Sequence, residues 1–68
     1  MTGILAIRCG KNLKKFIKAK NYTQEKFAFK INRDPSTIRK WIKNGINQLS
    51  VLEELSLSLG IAITEFFL

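Results

Sequence analysis

The apolar positions of the first third recur at helical spacing. Cys9, Leu13, Phe16 and Ile17 share one face, while Lys11, Lys14, Lys15 and Lys18 fall on the other. This pattern predicts a first helix over about Arg8 to Lys20. Upstream, "TGILAI" is compatible with an extension of that helix, an arm, or a strand paired with another copy, because Gly3 and Gly10 each weaken a continuous helix. After a break at Asn21-Tyr22, Thr23 is suited to cap a second helix, Gln24 to Ile31, with Phe27, Ala28 and Ile31 inward and Phe29 about 200° away from Phe27 at ~100° per residue. Phe29 therefore either covers the Ile4 to Ile7 segment or stands exposed as a contact.

The third helix has the clearest start signal. Asp34 offers a capping carboxylate, and Pro35 fits the first helical position, where a missing N–H costs nothing. The helix should end near Asn44-Gly45, residues suited to a left-handed cap. Ser50 and Glu53 match a capping box, so a fourth helix is expected from Leu49 or Ser50 to Leu59, stopped by Gly60, with Leu52, Leu55, Ser56 and Leu59 inward. A short apolar helix, Ile63 to Phe67, closes the pattern. Five helices joined by short connections predict one compact all-α domain over residues 1–68.

Composition narrows the chemistry. With no histidine and one cysteine, the usual zinc and transition-metal ligand sets and any Ser-His or Cys-His pair are missing, and five scattered carboxylates make an enzyme a poor reading. No metal, cofactor or small-molecule ligand is expected. Cys9 reads as a small core residue. The Ile4 to Ile7 run is too short for a signal-peptide core or a membrane span, so no membrane partner is expected and the cytosol is the default compartment.

Charge says more. All twelve Lys and Arg lie in residues 1–45 against Glu25 and Asp34, a net +10, whereas residues 46–68 hold only Glu53, Glu54 and Glu65, a net −3; together these make the formal +7. Such asymmetry argues for a polyanionic partner met by the N-terminal two thirds. Projected at ~100° per residue, the third helix gathers Ile38, Trp41 and Ile42 on one side and Ser36, Arg39, Lys40 and Lys43 on the opposite one. A lone basic face of this kind is ordinarily just solvated. Here it comes three residues after another short helix, as in a helix-turn-helix spanning 24–43, and a major groove roughly 12 Å wide admits such a helix.

Three segments carry a resemblance: "CGKNLKKFIKAKNYTQEKFA", "STIRKWIKNG" and "LSVLEELSLSLGIAITEFF". In order and content they resemble the first helix, the recognition helix and the tail of the phage-repressor and Cro-like (XRE) helix-turn-helix regulators, over about Cys9 to Phe67. The resemblance implies a lambda-repressor-like fold and a double-stranded-DNA-binding transcriptional regulator, acting as a homodimer on a pseudo-palindrome in a bacterial or phage-host cytosol, at the nucleoid. Ala28 stands where the family needs a small residue between the two helices, and Asn32 replaces the usual turn Gly, Asn being well suited to φ > 0.

By the same resemblance, Ser36 and Lys40 match base-reading positions, flanked by Arg39 and, at the groove edge, Pro35. Pro35 either touches a thymine methyl or simply begins the helix, and the capping role is preferred. Gln24, Thr23, Arg33, Thr37, Lys43 and Asn44 are candidates for phosphate contacts, which orient without specifying sequence. The chain departs from the family pattern at Arg33, where an apolar residue is common, at Pro35, and in one extra residue between Trp41 and Asn44-Gly45. Leu57, Phe66, Phe67 and Leu68 exceed what a small monomer should need and lie in the acidic part, which makes them, and the segment 62–68, candidate dimer contacts. Two other readings remain: an architectural, excisionase-type recombination factor, which needs a β-wing after "NG", and a protein-interaction module such as an antitoxin or antirepressor, using Phe29 and the apolar tail.

Overall fold

The computed structural model describes residues 3–68 and contains four α-helices, α1 (Ile4–Ala19), α2 (Gln24–Lys30), α3 (Pro35–Asn44) and α4 (Leu49–Leu59), followed by a 3-10 turn, Ile63–Phe67. The last element therefore differs from the fifth α-helix expected. It is a tighter five-residue winding, in keeping with the short runs in which 3-10 geometry persists. α1 begins at Ile4, so of the three alternatives for residues 3–8 the helical extension is the one observed; residues 1–2 of the expected arm lie outside the described residues.

Three left-handed residues turn the chain between helices. Asn21 (φ 64°) ends α1, with the Asn21 amide donating to Lys18 O at 2.9 Å and the Tyr22 amide to Ile17 O at 3.0 Å. Asn32 (φ 58°) ends α2 in the same way, with the Asn32 amide on Phe29 O at 3.1 Å and the Arg33 amide on Ala28 O at 2.8 Å. This paired arrangement satisfies the orphan carbonyls of a helix end. Gly60 (φ 67°) plays the part after α4.

One capping expectation fails. α4 is preceded by Gln48 as N-cap, with the Val51 and Leu52 amides both donating to its carbonyl, so Ser50 already lies inside the helix and no side-chain cap forms. With the helix begun at Leu49, Val51 and Leu52 are turned into the core. Burial of two branched side chains outweighs a capping box worth about 1 kcal/mol.

The core joins Cys9, Leu13 and Ile17 of α1, Phe27 and Ala28 of α2, Ile38 of α3, Ile46, then Val51, Leu52, Leu55 and Leu59 of α4, and Phe66. α3 lies across α1 at very close range. Gly10 is buried there, and a Cβ on it would collide with the Trp41 carbonyl oxygen and meet Gly45 Cα at 3.2 Å. The Ile46 amide donates to Ala6 O at 2.9 Å, so the segment leaving α3 is bonded to α1. At the far side of α1, Asn12 Nδ2 donates to Phe66 O at 2.8 Å, and the Phe66 ring meets Phe16 edge-on at 5.3 Å. Among the described residues no helix is long and apolar enough to cross a membrane.

Candidate nucleic-acid interface

The surface starts from how α3 is begun. The Asp34 carboxylate accepts from the Ser36 amide at 2.8 Å, and Pro35 occupies the first helical position. Asp34 is held below the ordinary carboxylate pKa, first by the Ser36 amide, then by the Ser36 hydroxyl and by the fields of Arg39 and Lys40. α2 begins similarly, with Thr23 Oγ1 accepting from the Lys26 amide at 3.1 Å. Neither cap depends on distant residues, so both helices begin at defined points.

Behind the surface, Ile38 is fully buried and holds α3 to the core, while Trp41 and Ile42 are half-buried against it. In front, Arg39, Lys40, Lys43 and Asn44 are exposed, and Pro35, Ser36 and Thr37 are partly exposed. The extra residue before Asn44-Gly45 is absorbed as regular helix, because the Gly45 amide still bonds to Trp41 O at 2.9 Å. Gly45 then leaves the helix at φ 99°, where any side chain is strained and a Cβ would lie 2.7 Å from Ala6 O. Of the exposed cations, Arg39 stands 3.9 Å from Glu25 of α2, a loose pair with both side chains mostly exposed. An ion pair this open contributes little and leaves Arg39 available to other anions.

At the start of α2, Thr23 is exposed and Gln24 partly so. They line a shallow groove together with Lys14, Lys18 and Tyr22, which brings two lysines of α1 beside the beginning of the helix-turn-helix. The spacing of those lysines marked only a polar face. What located them here is the turn at Asn21, which brings Thr23 and Gln24 beside Lys14 and Lys18.

Arg33 is placed differently from expectation. Its guanidinium is engaged with Glu54 of α4, Nη2 to Oε1 at 2.6 Å and Nε to Oε2 at 3.3 Å, and lies over the Trp41 ring with 5.6 Å to the centroid. As a phosphate contact it would have to give up this pairing. Among the candidate dimer residues, Phe66 must be removed: it is 0% exposed and packed on Phe16, so no partner surface reaches it. Leu57 and Leu68 are 85% and 82% exposed, and Phe67 is half-buried along a groove with Leu5 and Leu49. Phe29 is 88% exposed and does not cover the Ile4 to Ile7 segment, where Ile4, Leu5 and Ile7 are themselves exposed. Cys9 is buried, and desolvation raises its thiol pKa, which suits packing rather than nucleophilic chemistry.

A helix-turn-helix family model matches residues 13–66. The crystal structure of the restriction-modification controller protein C.AhdI from Aeromonas hydrophila is similar with a TM-score of 0.78 and 27% identity, over 91% of this chain and 96% of that one. A point mutant of the restriction-modification controller protein C.Esp1396I is similar with a TM-score of 0.80 and 29% identity, over 98% of this chain and 86% of that one. No curated protein sequence gives a significant match.

Proposed function

Because the chain belongs to the helix-turn-helix family, we propose that it is a sequence-specific, double-stranded-DNA-binding transcriptional regulator that works as a homodimer on a pseudo-palindromic operator. The observation that carries this reading is the two-sidedness of α3: Ile38 is buried, whereas Ser36, Arg39, Lys40 and Lys43 stand on the uncovered side of a helix begun by Asp34 and Pro35. A helix so presented fits the major groove. Lys40 would donate to guanine O6 and N7 and Ser36 to several base acceptors. Thr23, Gln24, Thr37, Lys43 and Asn44 would meet phosphates, with Lys14 and Lys18 extending the basic surface.

Two copies would present their recognition helices to half-sites about 34–36 Å apart. Exposed Leu57 and Leu68, and Phe67 with Leu5 and Leu49 beside it, supply apolar surface for the contact. Control would come from occupancy, acting mainly as repression where the dimer obstructs polymerase. Likeness to two restriction-modification controllers supports a regulatory role over an architectural one. The excisionase-type reading is disfavoured by the chain beyond Asn44-Gly45: residues 49–59 form α4 where a winged helix would need a β-hairpin.

The test selects bound duplexes from a random pool, then compares selected with random DNA for the parent, Lys40→Ala and Ser36→Ala. Lys40→Ala should lose about 1–3 kcal/mol of discrimination. If both variants discriminate as the parent does, α3 is not the reading surface. If no duplex binds at low salt, the regulator reading fails and an interaction module presenting Phe29 takes its place.

A further inference from the structure

We propose that Arg33 is a positioning residue that holds the recognition helix against α4 through Glu54 and Trp41, and is not a DNA contact; this rests on the DNA-binding reading above. Arg33 sits in the turn between α2 and α3, where its own amide is bonded to Ala28 O at 2.8 Å, so its backbone is fixed before its side chain is considered. From there the guanidinium makes two bonds to one carboxylate, 2.6 and 3.3 Å, while its Cζ lies over the Trp41 ring, 5.6 Å from the centroid. One planar group thus ties three elements together: the turn, α3 and α4.

The need for such a tie arises from how α3 is held elsewhere. Its backbone is pressed on α1 at Gly10, and it is joined to α2 by the turn. Among the described residues, the two Arg33–Glu54 bonds are the only side-chain hydrogen bonds between the segment 24–44 and α4. Trp41, half-buried against the core, also has the guanidinium over its ring. Arginine suits this work because its fork matches a carboxylate in two places while its face stacks on an aromatic; lysine does neither. Glu54 also argues against a phosphate role. Any phosphate approaching Arg33 would meet a carboxylate already seated on the same guanidinium, and the pairing leaves both side chains only partly exposed, 40% and 34%.

The two roles predict opposite signs for one substitution. Duplex affinities of the parent, Arg33→Ala, Arg33→Lys, Glu54→Gln and the reversed pair Arg33→Glu with Glu54→Arg are measured on selected and random DNA across a salt series, with folding of each variant checked by far-ultraviolet dichroism. For a positioning role, Arg33→Ala and Glu54→Gln each lower the selected-to-random ratio by about threefold, the scale of a partly exposed ion pair. The salt slope stays at the parent's value, Arg33→Lys resembles Arg33→Ala, and the reversed pair recovers the ratio. For a phosphate contact, Arg33→Ala lowers the slope by about 0.9, and Glu54→Gln tightens every duplex by freeing the guanidinium. Unchanged or tighter binding by folded Glu54→Gln, with the ratio kept, overturns the proposal while the DNA reading stands. Failure of the parent to bind any duplex removes the DNA reading and the proposal with it.

Discussion

Gly10→Ala sets two physical effects against each other within one residue. In a helix interior, alanine is favoured over glycine by about 1 kcal/mol, so local propensity predicts a more stable protein. Packing predicts the reverse. The new Cβ would overlap the Trp41 carbonyl oxygen and press on Ile42 O and Gly45 Cα, both at 3.2 Å. All three obstacles are backbone atoms, so no rotamer change relieves the overlap; α1 and α3 must separate by roughly 1 Å, a gap that weakens the dispersion attraction between their facing atoms by up to about half. Overpacking of this kind ordinarily costs about 1–3 kcal/mol, and a backbone obstacle places Gly10 at the upper end. Net of propensity, a destabilisation of about 2 kcal/mol is expected, a large share of the roughly 3–5 kcal/mol that so small a core supplies. Urea titration and thermal melts followed by Trp41 emission and far-ultraviolet dichroism measure it, with an expected fall in Tm of about 10 °C. Gly60→Ala is the comparison: Gly60 has φ 67° and open space around it, so strain alone should cost about 1 kcal/mol. A Gly10→Ala protein that melts at or above the parent would refute the close crossing of α1 and α3.

Four further outcomes are expected. Phe66→Ala removes a fully buried ring and should cost about 3–5 kcal/mol, leaving dichroism of an unfolded chain at 25 °C, whereas Leu68→Ala, at an exposed position outside the core, should leave the chain folded. Asn32→Ala should destabilise by about 1 kcal/mol in urea titration while Asn32→Gly stays near the parent, because φ is 58° there. Asp34 has its pKa lowered in the folded chain, so its contribution is complete above the unfolded carboxylate value and is lost as pH falls through the lower folded value; acid titration of Asp34→Asn should show a shallower loss of stability in that window. Cys9 should react with a thiol reagent only as fast as the domain opens, and equal labelling rates in native buffer and in urea would contradict its burial.

What the amino-acid pattern disclosed and what it withheld divide by range. The bounds of α2 and α3 were legible because Thr23, Asp34, Pro35 and Asn32 act on their own neighbours within three or four residues. The same local signals misled at α4, where Ser50 and Glu53 spelled a cap but burial of Val51 and Leu52 started the helix at Leu49. Gly10 looked like a defect in α1, since the carbonyl that requires it belongs to Trp41, thirty-one positions away. Phe66 looked surplus because nothing nearby in the chain reveals that Phe16 and Asn12 receive it. For the candidate interface, helical projection separated Ile38 from Ser36, Arg39, Lys40 and Lys43. The pairing of Arg33 was hidden for the same reason as the neighbour of Gly10: its partner, Glu54, lies 21 residues on.

The bond from Asn12 to the Phe66 carbonyl, 54 residues apart, has a bearing on how the chain comes to be folded. Synthesis delivers α1 first, yet one flank of that helix stays uncovered until the residues around Phe66 have been made. A nascent chain holding α1 to α4 alone would carry the slot for Phe66 open beside Phe16, with the apolar faces of four helices only partly closed. Maturation of this domain is therefore a late event, completed as a unit once its final turn is free of the ribosome, and the interval before that is when the growing chain most needs shielding from its neighbours.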